Sequence, residues 1–545
     1  MKKIAGWKKD VLIIIFLSAF LFILGNGSLG LTNPDEVFYA DSAKEMALHN
    51  SWATPYIFGQ PQFEKPVFIY WLLRLSFLAF GLNSFAARIS PGIFAVFGTA
   101  LVYILGFLGF SDRKKAFFSA LILATGALYL GLARTVFTDM VFTVFILAGL
   151  AAFYWAYSRG RRAGGIALFF IFSALAVLTK GPLGLFIPGL IVLVFLSLRK
   201  DIKFIICRPA FYGLIIFSAI ALPWYAFMIK HYGNDFIREF WVNDHIRRIF
   251  HAEHCSNDRW YFYPLTMLGG MYPWVIYVFA GICLLVKKVK DRVSGFHLFL
   301  ACWLGTVFLF FQPAHSKLAS YIMPLFPALA LTAGDFFTDN NIGKITRAGK
   351  TAAFASGLFL LAVPVAVRIA GVKFPYYFAY GWSVPAIAVM SWVFVFIFIL
   401  MTALGRPVFA FFVQAGLIPA LLVLLPLINV EPYVSSRSAA QFLLKQPVGE
   451  GAVLCSGPFI RGIRFYGGYN AAVFGQGGDN FFSPHPVPFV NSPAKLRDFL
   501  DKQPVTYCVL TKAAGEALKQ EAGAGYKAAL LGVCGNEYIL KVEKE

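Results

Sequence analysis

Two adjacent stretches are the most informative part of the sequence: VLIIIFLSAFLFILGNGSLG at residues 11–30 and LTNPDEVFYADSAKEM at residues 31–46. The first is uncharged and long enough for a helix to cross a bilayer. No small-residue cleavage site follows it, so we expect a retained membrane helix rather than a signal peptide. The second stretch places four carboxylates just beyond that helix, where they form either the polar start of a surface helix or part of a catalytic site.

Composition identifies the broad class of protein. The chain has 545 residues, of which 59% are hydrophobic and 14% are charged, with a mean hydropathy of +0.69. Because a soluble protein needs a more charged surface, these values predict a polytopic membrane protein. The formal net charge of +21 does not indicate a nucleic-acid partner, since the basic residues lie mostly in short loops between apolar runs.

Apolar runs long enough to span a membrane recur along the chain, and we count thirteen of them. Residues 67–81 are also apolar, but Arg74 and the aromatic content favour a helix lying along the membrane interface. The thirteen predicted spans lie near residues 11–30, 86–108, 116–132, 137–157, 164–179, 182–198, 208–229, 262–286, 295–312, 318–336, 351–370, 378–402 and 407–428.

Loop charges predict the orientation. With the N-terminus in the cytoplasm, every predicted inner loop is rich in Lys and Arg, as the positive-inside rule requires. Thirteen spans then place the C-terminus outside. We predict a transmembrane domain over residues 1–430, whose outer loops at 31–85 and 230–260 form the active site, followed by an outer domain over 431–545.

The C-terminal segment differs in composition from the rest of the chain. It contains the strand-like runs GAVLCS, VTYCVLT and NEYILKV and the helix-like runs SSRSAAQFLLKQ and SPAKLRDFLDKQ. These predict a small α/β domain. Cys455, Cys508 and Cys534 fall on or near its strands; three ordinary buried cysteines explain them more simply than a disulfide does.

The carboxylates after the first helix have a structural explanation. Asn33 is predicted to cap a helix that begins at Pro34, with Asp35 and Glu36 in the first turn, where the helix dipole favours anions. This does not exclude catalysis, because a capped helix is also a rigid platform for a carboxylate.

Further polar residues lie at the predicted outer ends of spans. An acid at a span entrance, such as Asp139, is costly unless it is paired or catalytic. Cations such as Lys65 and Lys180 either extend to the interface or bind a lipid phosphate. Basic residues of the second outer loop suit a phosphate or, less simply, a metal ion. The remaining candidates are Glu64, His245, Arg247, Arg248, His251, His254, Lys317 and Tyr321.

Acids and cations therefore converge on one face of the membrane. A transporter or lipid-sugar flippase would place its polar site at the midplane between two related halves, and the sequence has no such repeat. Carboxylates and fixed cations at the interface suit an enzyme that uses a lipid-phosphate substrate. A scaffold with a decayed site is the remaining alternative, and intact Asp35, Lys65 and Asp139 argue against it.

The segment NPDEVFYADSAKEMALHNSWATPYIFGQPQFEKPVFIYW, residues 33–71, resembles the first outer loop of the aminoarabinose transferase and protein mannosyltransferase superfamily. These are membrane glycosyltransferases of the GT-C type. RTVFTDMVF, LTKGPLG, LPWY, NDHIRRI and SKLASYIMPLFPALAL follow in the order the family shows, so the likeness covers roughly residues 10–430. Two departures, the single Pro in EKPV and RRIF in place of Arg-Phe, concern the donor contacts.

The resemblance implies a GT-C fold in a bacterial inner membrane. It implies transfer of a sugar from a polyisoprenyl-phosphate carrier to an outer acceptor, which is lipid A, a related glycolipid or protein Ser/Thr. The resemblance establishes no required cofactor, but some members hold a divalent metal ion, so a metal is a candidate cofactor here as well. The implied catalytic residues are Asp35, Asp139 and Glu36, the phosphate-binding residues are Lys65, Arg248, Arg247, Lys317, Tyr321 and Lys180, and the candidate metal ligands are Glu64 and His245.

Overall fold

A computed structural model describes residues 6–251, 257–292, 294–424, 428–449, 451–475, 489–523 and 525–545. The chain forms two compact units. The first, here the helical unit, comprises Met1–Leu24, Ile89–Ile237 and His245–Ile428. The second, here the mixed unit, comprises Gly25–Arg88, Arg238–Asp244 and Asn429–Glu545. Residues near 430, where the sequence predicts a boundary, thus pass from one unit to the other.

Helices dominate the described chain. They are α1 (Trp7–Ile23), α2 (Asp35–Leu48), α3 (Phe68–Phe80), α4 (Ser84–Phe110), α5 (Arg113–Ala124), α6 (Ala127–Ala133), α7 (Thr138–Arg159), α8 (Arg162–Lys180), α9 (Leu183–Leu198), α10 (Arg208–Phe236), α11 (Arg248–Phe250), α12 (Phe262–Gly270), α13 (Val275–Lys290), α14 (Gly295–Phe311), α15 (Phe326–Asn341), α16 (Arg347–Leu360), α17 (Ala362–Lys373), α18 (Ser383–Ala403), α19 (Pro407–Val423), α20 (Glu431–Val434), α21 (Arg437–Leu443), α22 (Ile460–Gly467), α23 (Pro493–Asp501) and α24 (Lys512–Ala522). A π-helical stretch, Ile237–Arg247, follows α10, and 3₁₀ turns occupy Ile202–Phe204, Ala319–Leu325 and Pro375–Tyr377.

Each of the thirteen predicted spans contains a helix or two consecutive helices, so the chain is a multi-pass helical membrane protein. Among the described residues, seven helical segments are long and apolar enough to cross a membrane, or nine if each of two sharply bent pairs is one span. The bent pairs are α5 with α6, at 64°, and α12 with α13, at 114°. Four apolar helices, α3 among them, are shorter. The count of thirteen crossings stays a prediction.

Helix α7 lies in the core of the helical unit, where it packs against α8. The most apolar stretch of α7 is 89% buried by the rest of the protein, whereas that of α18 is 22% buried. A helix that is apolar on all sides lies either in a protein core or in lipid. The burial of α7 is typical of a core helix, and the exposed surface of α18 is typical of a helix that faces lipid. Helix α15 packs against α5 and α13 in the same core. The position of α7 matters because Asp139 lies in its first turn.

The mixed unit contains a six-stranded sheet in the order β5-β4-β3-β6-β8-β7. Strands β5, β4, β3 and β6 are parallel, while β8 is antiparallel to both β6 and β7. A two-stranded hairpin, β1 with β2, lies earlier in the chain. The strands are β1 (Tyr56–Ile57), β2 (Gln60–Pro61), β3 (Val453–Cys455), β4 (Ala471–Phe474), β5 (Phe489–Val490), β6 (Val505–Leu510), β7 (Tyr526–Cys534) and β8 (Glu537–Lys544).

The predicted α/β character of the C-terminal segment is confirmed. All three strand-like runs form strands, and the two helix-like runs form α21 and α23. The sequence did not predict β4, β5, β7, α22 or α24. Helix α22 is the most consequential of these, because it packs against α2 of the same unit. Cys455 and Cys508 are buried as free thiols, and Cys534 is free and half-buried.

The start of α2 differs from the prediction. The helix begins at Asp35, its N-cap position is Pro34, and no side chain caps it. The predicted N-cap, Asn33, instead uses its side-chain amide to donate a hydrogen bond to the Ser436 hydroxyl at 2.6 Å. A tertiary partner thus replaces the local one, and Asp35 and Glu36 stand one position earlier in the helix than predicted.

Candidate active site

The predicted site residues fall in both units. In the mixed unit, Asp35 is exposed in the first turn of α2. Its neighbour Glu36 is fully buried. The Glu36 carboxylate accepts hydrogen bonds from the Arg88 guanidinium at 2.6 and 2.9 Å and from the Thr32 backbone N–H at 2.9 Å. Such a satisfied, buried pair fixes the start of α2 and leaves Asp35 as the accessible acid.

Lys65 is held in place by a carboxylate that the sequence did not single out. Its ammonium donates to both side-chain oxygens of Asp244, at 2.8 and 3.0 Å, and to the backbone carbonyl of Glu64 at 3.1 Å. Both members of the pair are mostly buried. A lysine fixed in this way has a defined position and lacks the freedom of a surface side chain.

The buried guanidinium of Arg461, on α22, lies beside the start of α2. It donates to the Pro34 carbonyl at 3.4 Å and lies over the Phe38 ring, 4.9 Å from its centroid. Burial lowers the pKa of Arg461, and the nearby carboxylates of Glu64 and Asp35 oppose that shift. Arg461 therefore supplies positive charge to the same part of the unit as two predicted site acids.

In the helical unit, four predicted residues form one continuous series. The Lys180 ammonium, at the end of α8, donates to a side-chain oxygen of Asp139, at the start of α7. The same ammonium lies 4.5 Å from the centroid of the Tyr321 ring. The Tyr321 hydroxyl accepts a hydrogen bond from the Arg248 guanidinium at 2.8 Å.

Helix dipoles favour this arrangement. An acid at a helix N-terminus and a base at a helix C-terminus are each stabilised by the partial charges of the unpaired backbone groups. Asp139 and Lys180 occupy those two positions on α7 and α8. The series thus joins one acid, two cations and a phenol, which is a set suited to an anionic group with several oxygens.

The remaining predicted cations have other surroundings. Lys317 is buried and donates to Asp258 at 3.0 Å, and His315 bonds the same carboxylate at 2.8 Å. Arg247 is exposed at the end of the π-helical stretch, and His245 is half-buried within it. His251 is exposed, and His254 lies outside the described residues.

A metal site was predicted from Glu64 and His245. Across the described residues, no cluster of three or more His, Cys, Asp or Glu side chains could hold a metal ion. The assignment of Glu64 and His245 as metal ligands stays a prediction.

Four partners of the predicted site residues were missed from the sequence: Arg88, Asp244, Asp258 and Arg461. Asp244 and Arg461 lie 179 and more than 400 positions from the residues they contact, so no local pattern marks them. The sequence did contain one usable signal for Arg461. Arg461 and Arg464 are three positions apart in the amphipathic run IRGIRFYG, a spacing that places both on one face of a helix.

The fold is shared with solved membrane transferases. The chain superposes on the crystal structure of ArnT from Cupriavidus metallidurans bound to undecaprenyl phosphate, with a TM-score of 0.79, 19% identity and coverage of 99% of this chain and 98% of that one. It also superposes on an archaeal oligosaccharyltransferase, AglB from Archaeoglobus fulgidus, with a TM-score of 0.53, 14% identity and coverage of 93% and 69%. These matches define the class of fold as GT-C.

Sequence comparison gives the family. Residues 11–232 match the model of the dolichyl-phosphate-mannose-protein mannosyltransferase family. An uncharacterised Aquifex aeolicus protein is 33% identical over 65% of this chain and 78% of its own length. The aminoarabinosyl transferase of Edwardsiella ictaluri that uses undecaprenyl phosphate-aminoarabinose is 32% identical over 67% of this chain and 64% of its own. The chain belongs to the same family as these relatives, and it spans 61% to 66% of the length of three curated relatives.

Proposed function

We propose that the protein transfers a sugar from a polyprenyl-phosphate carrier to lipid A or a related envelope glycolipid. Several relatives of similar identity are undecaprenyl phosphate-aminoarabinose transferases, which supports a pentose of that class as the donor sugar. In this proposal the protein lies in a bacterial inner membrane, and the transfer takes place on the outer side.

The observation that carries the proposal is the series from Asp139 through Lys180 and Tyr321 to Arg248. Two fixed cations and a phenol hydroxyl offer charge and hydrogen-bond donors to the phosphate of the donor, which is a diester before transfer and a monoester after it. Because the groups sit at helix ends in a packed unit, their positions are set before substrate binds. We assign them to the carrier phosphate, together with Lys65 and the more exposed Arg247.

In the reaction, the bond between the anomeric carbon and the carrier phosphate oxygen breaks while an acceptor oxygen bonds to that carbon. The leaving polyprenyl phosphate takes the bonding electron pair, so negative charge grows on its bridging oxygen. Fixed Lys and Arg groups stabilise this developing charge. The expected stereochemistry is inversion by single displacement. Product that retains the donor configuration would contradict the mechanism.

Asp35 is the proposed principal carboxylate, because it is the exposed acid at the start of α2. With a hydroxyl acceptor, Asp35 takes the proton as general base. With a phosphate acceptor, already ionised at neutral pH, it orients the acceptor or stabilises positive charge on the sugar ring. Glu36, paired with Arg88, is assigned to holding the helix start instead.

The orientation belongs to the same proposal: thirteen spans, N-terminus in the cytoplasm and C-terminus outside. A reporter enzyme active only outside the cytoplasm tests it when fused after Lys200 or after Glu545. Activity is expected only from the second fusion. The reverse result would overturn the orientation.

Purified full-length protein in detergent, supplied with undecaprenyl-phosphate aminoarabinose and lipid A, tests the reaction. Wild type should release undecaprenyl phosphate and add the sugar mass to lipid A, while Asp35→Asn and Lys65→Ala should abolish both signals. Asp498→Asn, the same chemical change at an exposed helix position, is the control. Undiminished transfer by Asp35→Asn would remove that residue from the mechanism.

A protein acceptor is the second candidate, favoured by the match to the protein mannosyltransferase family model. The same assay with a Ser/Thr-rich peptide in place of lipid A distinguishes the two. Mass gain on the peptide alone would replace the acceptor in the first proposal and keep the donor chemistry.

A further inference from the structure

Glu45, on α2, binds the turn of the β1–β2 hairpin. Its two carboxylate oxygens accept the backbone N–H groups of Phe58, at 2.9 Å, and Gly59, at 2.7 Å. Both turn residues have positive φ, 53° and 74°. A non-glycine residue in this region is strained, so an external contact that holds Phe58 there determines the turn. Glu45 itself is only 4% exposed.

The C-terminal helix α22 reaches the same carboxylate through Arg464. The Arg464 guanidinium donates to Glu45, lies 4.6 Å from the Phe58 ring centroid, and approaches Asp41 to 3.6 Å. In the opposite direction, the Lys44 ammonium donates to the carbonyls of Arg464 and Phe465, at 3.1 and 3.2 Å. Helices α2 and α22 are therefore joined by charged contacts in both directions.

A short chain of contacts runs from this hairpin to Lys65. The Gln62 backbone N–H bonds the Pro55 carbonyl at 3.0 Å, closing the hairpin. The Gln62 side chain accepts the Glu64 N–H at 3.1 Å and donates to the Tyr70 hydroxyl on α3. Lys65 follows directly, and its ammonium bonds the Glu64 carbonyl.

We propose that Glu45 and Arg464 are positioning residues for the loop that carries Glu64 and Lys65. Arg464 orients the Glu45 carboxylate, the carboxylate fixes the hairpin turn, and the turn places the loop. Arg464, in the C-terminal segment, thereby influences binding of the carrier phosphate through the position of Lys65. This inference rests on the proposed function where it invokes phosphate binding; the fixing of the loop does not depend on it.

The test uses full-length protein with Glu45→Gln, Arg464→Met and Arg464→Lys. Arg437→Met is the control, because Arg437 also pairs with a glutamate in the same unit, Glu431, at 2.7 Å. Backbone hydrogen exchange over residues 56–66 reports the loop directly. Binding of undecaprenyl phosphate and the KM and kcat of transfer report the consequence.

We expect faster exchange over residues 56–66 in Glu45→Gln and Arg464→Met, with a roughly tenfold to hundredfold loss in kcat/KM that falls mainly on the donor KM. Arg464→Lys should be intermediate, since lysine keeps the charge but not the stacked, planar contact. Arg437→Met should leave both readouts at wild-type values.

Two results would overturn the inference: unchanged exchange over residues 56–66 in Arg464→Met, or faster exchange with unchanged affinity for undecaprenyl phosphate. Wild-type protein that binds undecaprenyl phosphate but transfers no sugar would instead count against the proposed function. The exchange and binding readouts would still decide the positioning role in that case.

Discussion

Lys65 and Asp244 form a two-point contact, with the lysine ammonium 2.8 and 3.0 Å from the two carboxylate oxygens. The carboxylate neutralises the cation proposed to bind the carrier phosphate. The carrier phosphate and the Asp244 carboxylate are both negative, so they compete for the Lys65 ammonium and repel each other when they are close.

The first prediction follows from that competition. Asp244→Asn keeps the side-chain shape and removes the competing charge, so undecaprenyl phosphate should bind about threefold to tenfold more tightly. Lys65→Met should weaken binding by at least tenfold. Titration of both variants with undecaprenyl phosphate measures this. If Asp244→Asn weakens binding as much as Lys65→Met does, Asp244 orients the lysine instead of competing for it.

The second prediction separates stability from catalysis at Asp139. Removing one member of its buried pair with Lys180 leaves the other charge without that partner, which typically costs about 3–5 kcal/mol. Asp139→Asn and Lys180→Met should each lower thermal stability, and the double variant should recover much of the loss. Transfer activity should remain abolished in the double variant. Recovered activity would assign the pair a structural role only.

The third prediction concerns the phenol in the same series. Tyr321→Phe removes the hydroxyl that accepts a hydrogen bond from Arg248, and such charge-assisted bonds contribute about 1.5–3 kcal/mol. The donor KM should rise roughly tenfold while kcat changes little. Steady-state kinetics with varied donor measures both, and Tyr376→Phe, on an exposed aromatic ring, is the control. A fall confined to kcat would instead place the hydroxyl in the chemical step.

The fourth prediction concerns pH and Asp41. Burial raises the pKa of Asp41 to about 6, against the opposing charges of Lys44 and Arg464 and with a smaller contribution from Glu45. When the pKa of a carboxyl is higher in the folded protein than in the unfolded chain, that carboxyl stabilises the folded protein at low pH. This contribution to the free energy of unfolding falls as pH rises from about 4 to 6, and it is lost completely above that. The free energy of unfolding of Asp41→Asn should not contain this decrease. Chemical unfolding at pH 4.5 and 7 measures it for wild type and variant, and an equal pH dependence of the two proteins would contradict a raised pKa of Asp41.

The fifth prediction applies the same logic to Glu537 of β8. Burial raises the pKa of Glu537 to about 8, while the hydrogen bond from Ser436 opposes the shift. Wild type should lose stability between about pH 4.5 and 8, and Glu537→Gln should lose less over that range. Melting curves at pH 5, 7 and 9 test this. A glutamine variant that is destabilised equally at all three values would contradict it.

The helical framework could be read from the sequence because its signals are local. The length of an apolar run and the charge of the loop beside it predict a helix without knowledge of its neighbours. Asp139 and Lys180 were identified in the same way, as charged residues at the ends of such runs, and the structure pairs them. The two bent pairs, α5 with α6 and α12 with α13, are the exceptions, because bends of 64° and 114° left no mark on hydropathy.

The contacts around the site were less predictable, because they join distant parts of the chain. Asn33 has the local features of a helix cap, yet its side chain donates a hydrogen bond to Ser436 instead. Arg464 reaches Glu45 across 419 positions. Short strands such as β4, with sequence AAVF, also gave too weak a pattern to identify alone.

The bond from the Asn33 N–H to the Val434 carbonyl, 2.8 Å long, has a consequence for biogenesis. During synthesis, residues 31–85 emerge long before the residues of α20 and α22. The contacts of the loop that carries Lys65 are therefore completed only after the C-terminal segment has been synthesised. A ribosome that stops near residue 430 would release a chain with all its apolar runs and an unfinished first loop, which is the kind of intermediate that quality-control proteases recognise.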